Sequence, residues 1–137
     1  IGPKRMQHWL DTVHYGNATM GASIHRFWLR GALRITPHQQ VRFLQQLNEE
    51  RLSFDVAHQR IVKGILPGES TDTWRIRGKT GWAMEGGREQ GWYVGWVERG
   101  PRTAYFALHI DIRDLADARK RYTLTHALLQ RAGWMEP

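Results

Sequence analysis

Cysteine is absent from the 137 residues. That excludes a disulfide framework, a thiolate metal site and a cysteine nucleophile, although it leaves the compartment open. Long hydrophobic runs are missing too: no uncharged apolar stretch approaches a membrane span, and no secretory apolar segment opens the chain. Acidic residues are scarce against basic ones. Thirteen Asp and Glu face twenty Lys and Arg, a formal net charge of +7 that favours anionic partners such as nucleic acid, an acidic surface or a small carboxylate. Repeats, low-complexity tracts and Pro/Gly/Ser linkers are also missing, so the sequence reads as one domain or a piece of one. It starts at Ile1 rather than Met and is expected to begin downstream of its natural start. Apolar material is plentiful. A hydrophobic content of 41% with seven tryptophans excludes a disordered tail, and a chain of this size buries roughly two-thirds of its unfolded surface.

The periodicity changes once, near Gly68, from helical before it to strand-like after it. A first helix is expected over about Lys4 to Val13, with Met6, Trp9, Leu10 and Val13 on one face, ending at His14-Tyr15-Gly16-Asn17. Thr36-Pro37-His38-Gln39 reads as a capping box that starts a second helix, whose stripe is Val41, Leu44 and Leu47. A third helix carries Ala57, Ile61 and Ile65 and stops at Pro67-Gly68. Beyond it, Trp74 and Ile76 alternate with Arg75, Arg77 and Lys79. Strands over Gly91–Glu98 and Thr103–Ile110 are joined by a Gly100-Pro101 turn. Both of these strands are apolar on both faces, which requires cover on both sides. One cover is a final helix over about Asp117 to Ala132, closed by Gly133. The expected class is α+β, helical over about 1–67, with an antiparallel meander and a C-terminal helix over about 68–137.

Arg77-Gly78-Lys79-Thr80-Gly81-Trp82 is the sharpest local feature. A strand ending in Lys-Thr-Gly sets an ammonium and a hydroxyl beside a residue without a side chain, where a carboxylate can approach the backbone. Lys-Thr-Gly is one of the motifs of serine β-lactamases and penicillin-binding proteins. By itself it also fits a solvated strand-to-turn transition. Three further motifs stand with it in order: Tyr15-Gly16-Asn17, then Phe27-Trp28-Leu29 within "RFWLRGALRIT", then Gly91-Trp92-Tyr93-Val94-Gly95-Trp96-Val97-Glu98. In that order and spacing the sequence resembles the C-terminal portion of class D, oxacillinase-type, serine β-lactamases, over nearly all 137 residues. The β-lactam-sensing domains of membrane-bound receptors and the penicillin-binding transpeptidases are related to that family.

The resemblance implies the serine β-lactamase/transpeptidase fold and hydrolysis of β-lactams through an acyl-serine intermediate by a periplasmic protein. It implies that Lys79 lies near the nucleophile and the substrate carboxylate, that Thr80 and Gly81 bind that carboxylate, and that the Trp82 N–H is an oxyanion donor. Trp28 would cover the family's carboxylated lysine, and Tyr15, Gly16 and Asn17 would border the cleft. An arginine near the start of the last helix would pair with the substrate carboxylate; counting back from Gly133 favours Arg121 over Arg119. No metal and no nucleic acid is implied. The cofactor-like requirement is CO2 for lysine carboxylation, on a segment absent here, and the resemblance leaves room for a homodimer of the complete form.

One departure bears on mechanism. The family's S-x-x-K nucleophile motif and its S-x-V motif are missing: Ser23, Ser53 and Ser70 are followed three residues on by Arg26, Val56 and Thr73. None has a lysine one helical turn away to activate it. Two other classes remain open, a β-lactam sensor that deacylates slowly and a non-catalytic basic binding module. The basic residues read as a solvated surface, Trp28, Trp92 and Trp96 as core, and the histidines, with His109 and Asp111 as their best pair, as structural or solvated. The 137 residues are therefore expected to need an N-terminal half, and to show weak solubility alone because strands apolar on both faces would lose cover. Alone they should not hydrolyse a chromogenic cephalosporin, and co-expression with the upstream half of a family member should restore turnover. Turnover by the isolated chain that survives alanine at all three serines would overturn the serine mechanism.

Overall fold

The computed structural model describes residues 1–29, 31–85 and 88–136; Arg30 of the "RFWLRGALRIT" stretch lies outside them. Helices α1 (Pro3–Thr12), α2 (Pro37–Asn48) and α3 (Val56–Ile65) come first. Strands β1 (Gly68–Ser70), β2 (Arg75–Glu85), β3 (Arg88–Arg99) and β4 (Arg102–Ile112) follow, and helix α4 (Leu115–Arg131) comes last. The strands form one antiparallel sheet in the order β1-β2-β3-β4. The class is α+β, as the periodicity implied. None of the described helices is long and apolar enough to cross a membrane.

Local chemistry accounts for most boundaries. Thr36 accepts from the Gln39 N–H while the Gln39 side chain accepts from the Thr36 N–H, so the capping box forms around Pro37 as read from the sequence. Leu44 and Leu47 of its stripe are buried and Val41 is half-buried. Helix α4 begins two residues earlier than expected because Asp114 caps it, accepting from the Asp117 N–H, and Gly133 follows its end with φ +76°. The β3–β4 hairpin turns at Gly100-Pro101, pairing Arg99 with Arg102.

Alternation divides the sheet into two covered faces. Ile76, Tyr93 and Val97 face α4 and form a core with Leu129 and Met135, where Ile76 is 0% exposed. Trp96 faces the other way with its cross-strand partner Tyr105, whose hydroxyl oxygen accepts from Asn48 at the end of α2 (3.2 Å). A second core holds Leu10, Met20 and Phe27.

The structure corrects the reading of Trp28 and adds two features that the sequence did not announce. The α3 stripe points outward: Ile61 and Ile65 are exposed, Ile65 by 74%. The buried residue is Gln59, whose amide donates to Leu52 O and Phe54 O and accepts from the Leu52 N–H. A buried amide is tolerated when its bonds are all made, and here they fold the preceding loop back onto the helix. Trp28 is not a core tryptophan; it is 54% exposed and meets Phe27 edge-on at 4.9 Å. β1 was not foreseen, because three exposed residues carry no alternation to read.

Helix α3 is tied to both neighbours. Lys63 Nζ donates to Asn48 O (3.0 Å) and to Glu50 (2.6 Å), and Arg77 of β2 donates to Lys63 O (2.9 Å). Arg60 completes the bracket on Glu50. The hydrogen bond from Arg60, then that from Lys63, hold the Glu50 carboxyl down at about 2. A carboxyl lowered by folding stabilises the fold above its unfolded value near 4.5, and that contribution fades as the pH falls towards 2. Thermal unfolding of Glu50→Gln should thus show a lower midpoint than the parent at pH 6, with the gap closing between pH 4.5 and 2. A gap that stays constant down to pH 2 would assign the loss to packing instead.

Candidate functional site

The Lys-Thr-Gly segment sits on a half-open strand. β1 pairs with β2 only from Arg75 to Arg77, and Pro67 O then accepts from the Gly78 N–H at 2.9 Å. Pro67 has no N–H to continue the ladder. From Lys79 onward β2 is paired on its β3 side alone. In an antiparallel strand, peptide groups point alternately to the two sides, so the direction of Gly78 is repeated at Thr80 and Trp82. Their backbone groups thus face the open edge. Lys79 is exposed and turns its ammonium onto Thr80 O (2.7 Å), while the Trp82 indole donates to Glu89 (2.7 Å).

Arg121 comes up beneath this segment from α4. It is 9% exposed, donates through Nε to Ala118 O (2.7 Å) and through Nη1 to Gly81 O (2.6 Å), and its guanidinium lies 5.7 Å from the Trp82 ring centroid. Two of five donors are thereby engaged. Gly91 makes the approach possible: a Cβ there would lie 2.4 Å from Ile112 Cδ1 and 2.9 Å from Arg121 Cδ. The helix that carries Arg121 is anchored at its start, where Asp117 accepts from Arg113 Nε (2.8 Å) and Lys120 Nζ (2.5 Å). Those bonds, Arg113's first, hold the buried Asp117 carboxyl well below the usual carboxylate range. Of the two arginines weighed from the sequence, Arg121 is directed at the Lys-Thr-Gly strand. Arg119 is exposed on α4.

Tyr15, Gly16, Asn17 and Trp28 form a separate group around the second core. Asn17 accepts from the Arg34 and Thr19 N–H groups and donates to Ala32 O (2.8 Å), clasping the 31–35 segment. Gly16 stands at φ +59°, where a Cβ would meet Arg34 O at 2.1 Å. The Tyr15 hydroxyl donates to Gln40 Oε1 (2.8 Å), and burial raises its pKa against the lowering effect of that bond. Among the described residues, no hydrogen bond or ring contact joins these four residues to the Lys79 strand. The structure thus brings Lys79, Thr80, Gly81, Trp82 and Arg121 together and leaves the other four as a second cluster.

Sequence reading missed the groove beside the Lys-Thr-Gly strand. It holds about 400 Å³ between β1, β2 and α4, and Lys79, Thr80, Tyr93 and Tyr122 line it. Tyr93 was readable as the cross-strand partner of Thr80, since both strands alternate in register. Tyr122 was not, because its neighbourhood depends on how α4 is rotated over the sheet. The dependence of Arg121 on Gly91 is testable. Gly91→Ala should destabilise by about 1–3 kcal/mol through overpacking, read as a lower urea midpoint at unchanged slope, and should break the hydrogen bond from Arg121 to Gly81 O. Full parental stability would mean that Arg121 reaches Gly81 by another route.

Comparison with known proteins bears on the family. The model of the penicillin binding protein transpeptidase domain matches residues 1–130. β-Lactamase OXA-2 of Salmonella typhimurium is 37% identical over 138 aligned positions, covering 100% of this chain and 49% of its own length. β-Lactamase OXA-48 of Klebsiella pneumoniae is 33% identical, over 96% of this chain and 49% of its own. Among solved structures, the class D β-lactamase YbXI from Nostoc superposes with a TM-score of 0.94 at 40% identity, covering 98% of this chain and 57% of that one. FUS-1 (OXA-85), a class D β-lactamase from Fusobacterium nucleatum subsp. polymorphum, gives 0.93 at 34% identity, with 98% and 56% covered. The chain spans about half the length of the curated relatives it matches. By sequence, the chain belongs to the penicillin-binding-protein transpeptidase family, and the relatives and solved structures it is similar to are β-lactamases, the two structures of class D.

Proposed function

We propose that this chain is the C-terminal, substrate-gripping portion of a protein that hydrolyses β-lactams through an acyl-serine intermediate. The observation that carries the reading is the open edge of β2, with Thr80 and Trp82 facing outward and the Arg121 guanidinium directly below. Lys79 and Thr80 donate to the substrate carboxylate, and Arg121 adds a positive charge held in place by Gly81 O and Ala118 O. The Trp82 N–H donates to the oxygen that becomes negative in the tetrahedral intermediate, where a fixed donor lowers the barrier most. Gly81 keeps the strand free of a side chain where the substrate lies against it.

The nucleophile comes from outside these residues, since Ser23, Ser53 and Ser70 are exposed and without a lysine partner. Its backbone N–H is the second oxyanion donor. A lysine of that other segment, carboxylated by CO2, would supply the base for deacylation. Trp28 suits it: its indole N–H has no acceptor among the described residues and its ring is exposed beside Phe27. Tyr15, Gly16 and Asn17 shape the cleft border by fixing the 31–35 segment rather than by touching substrate. For the complete protein the reading includes a periplasmic location.

Alanine substitutions in the complete protein test the assignment. Lys79→Ala and Arg121→Ala each remove a charge-assisted hydrogen bond to substrate, which costs about 1.5–3 kcal/mol, or roughly ten- to a hundred-fold in kcat/KM. Lys79→Ala should be the more severe, because Lys79 also adjoins the serine. Unfolding midpoints measured alongside separate lost turnover from lost structure at the buried Arg121. Unchanged kinetics for Lys79→Ala would remove the Lys-Thr-Gly assignment. A silent Arg121→Ala with an impaired Arg119→Ala would transfer the carboxylate interaction to Arg119.

A further inference from the structure

The groove of about 400 Å³ beside the Lys-Thr-Gly strand has a definite chemical character. Its floor is Gly78 and Tyr93, one wall is Tyr122 from α4, and the other is Gly68 and Glu69 from β1. The two phenol rings lie 4.8 Å apart at 51°. Burial, then the neighbouring Tyr122 and Glu69, push the Tyr93 phenol up to about 12, so the ring stays neutral at any working pH. Glu69 is exposed, and its carboxylate makes no hydrogen bond or ion pair among the described residues. Its register partner Ile76 sets it on the α4 face, the face of Tyr93 and Thr80. Lys79 alternates to the opposite face but reaches the groove's edge, where its ammonium rests on Thr80 O and keeps its charge; it makes no ion pair with Glu69, and in the reading above the substrate carboxylate answers it. Two electron-rich rings and one unpaired carboxylate lining a cavity match a cation, above all a flat or quaternary one whose charge is spread and weakly hydrated.

The position relative to Thr80 says which part of a ligand arrives there. In a fused β-lactam, the carbon bearing the carboxylate is bonded to the carbon bearing the second ring's substituent. Thr80 is both the proposed carboxylate donor and part of the groove lining. A carboxylate held at Thr80 therefore leaves that substituent at the mouth of the groove. We propose that the Glu69–Tyr93–Tyr122 groove is a subsite for a cationic substituent, pyridinium or quaternary ammonium, adjacent to the substrate carboxylate. This assignment of a preferred substrate class rests on the acyl-transfer reading above, although the groove's affinity for a cation does not.

Two measurements on the complete protein separate the groove from that reading. In the first, N-methylpyridinium and its uncharged isostere toluene are titrated while the ring resonances of Tyr93 and Tyr122 are followed by NMR. N-Methylpyridinium should bind at least tenfold more tightly, and Glu69→Gln or Tyr122→Leu should remove most of that preference. Equal affinity for the two probes, or a preference that survives Glu69→Gln, overturns the subsite. In the second, kcat/KM is compared for two cephalosporins that share an acylamino side chain, one with a pyridinium-methyl and one with an acetoxymethyl group beside the carboxylate. Glu69→Gln should lower the pyridinium-to-acetoxy ratio about fivefold; an unmoved ratio also overturns the subsite. If the parent turns over neither cephalosporin, the acyl-transfer reading falls, and the N-methylpyridinium titration by itself decides the groove.

Discussion

The open edge of β2 depends on Pro67. A full-length β1 would pair β2 along its whole outer side and close the Lys-Thr-Gly segment to any ligand. Instead the pairing stops after Ser70, Glu69 and Gly68, and Pro67 O takes the Gly78 N–H as the last bond of that ladder. With no N–H of its own, Pro67 cannot extend it. An unpaired strand edge is ordinarily a liability, because its free donors and acceptors invite pairing with another chain. Here the same unpaired groups are what the proposed substrate, with its carboxylate and polarised carbonyl, would need.

Arg121 is the second half of that arrangement, and it is a costly one to build. A guanidinium 9% exposed must have its charge and its donors answered from within the fold. Two backbone carbonyls and the face of Trp82 do this, all acceptors or electron-rich groups without a formal charge. Among the described residues no carboxylate pairs with it, so its positive charge stays available to an anionic ligand. The acids nearby in the chain are spent elsewhere: Asp114 caps α4, and Asp117 is bracketed by Arg113 and Lys120. That division keeps the helix start rigid and leaves Arg121 without a carboxylate partner among the described residues.

The rest of the chain serves the placement of β2. Glu50, Lys63 and Arg77 form a relay from the end of α2 through α3 to the strand, and Tyr105 links α2 to the far side of the sheet. The Tyr15–Asn17 turn stands apart beside a core of its own, with Trp28 exposed against Phe27 at its surface. Leu10, Met20 and Phe27 pack there without joining the sheet core, and the exposed indole of Trp28 and the exposed stripe of α3 are surfaces these residues do not cover by themselves.

Features governed by near neighbours along the chain were legible before any fold was known. The capping box at Thr36 and Gln39, the stop after α4 at Gly133, the hairpin at Gly100 and the two-faced strands all follow from short-range bonding and alternation, and each formed as read. The Lys-Thr-Gly strand was legible as a motif, and the family resemblance with a count back from Gly133 pointed to Arg121, which reaches Gly81 O of that strand. Proximity between distant segments came from the tertiary structure. Ile61 and Ile65 look like a buried stripe until Gln59 is seen to claim the inner face with three hydrogen bonds. Trp28 reads as core until its surroundings prove to be Phe27 on one side and open space on the other. Glu69 and Tyr122 become neighbours of Thr80 only once β1 is paired and α4 is laid across the sheet. Hydrophobicity and spacing state how strongly a side chain seeks cover, but which surfaces are within reach is set by segments far away in the chain.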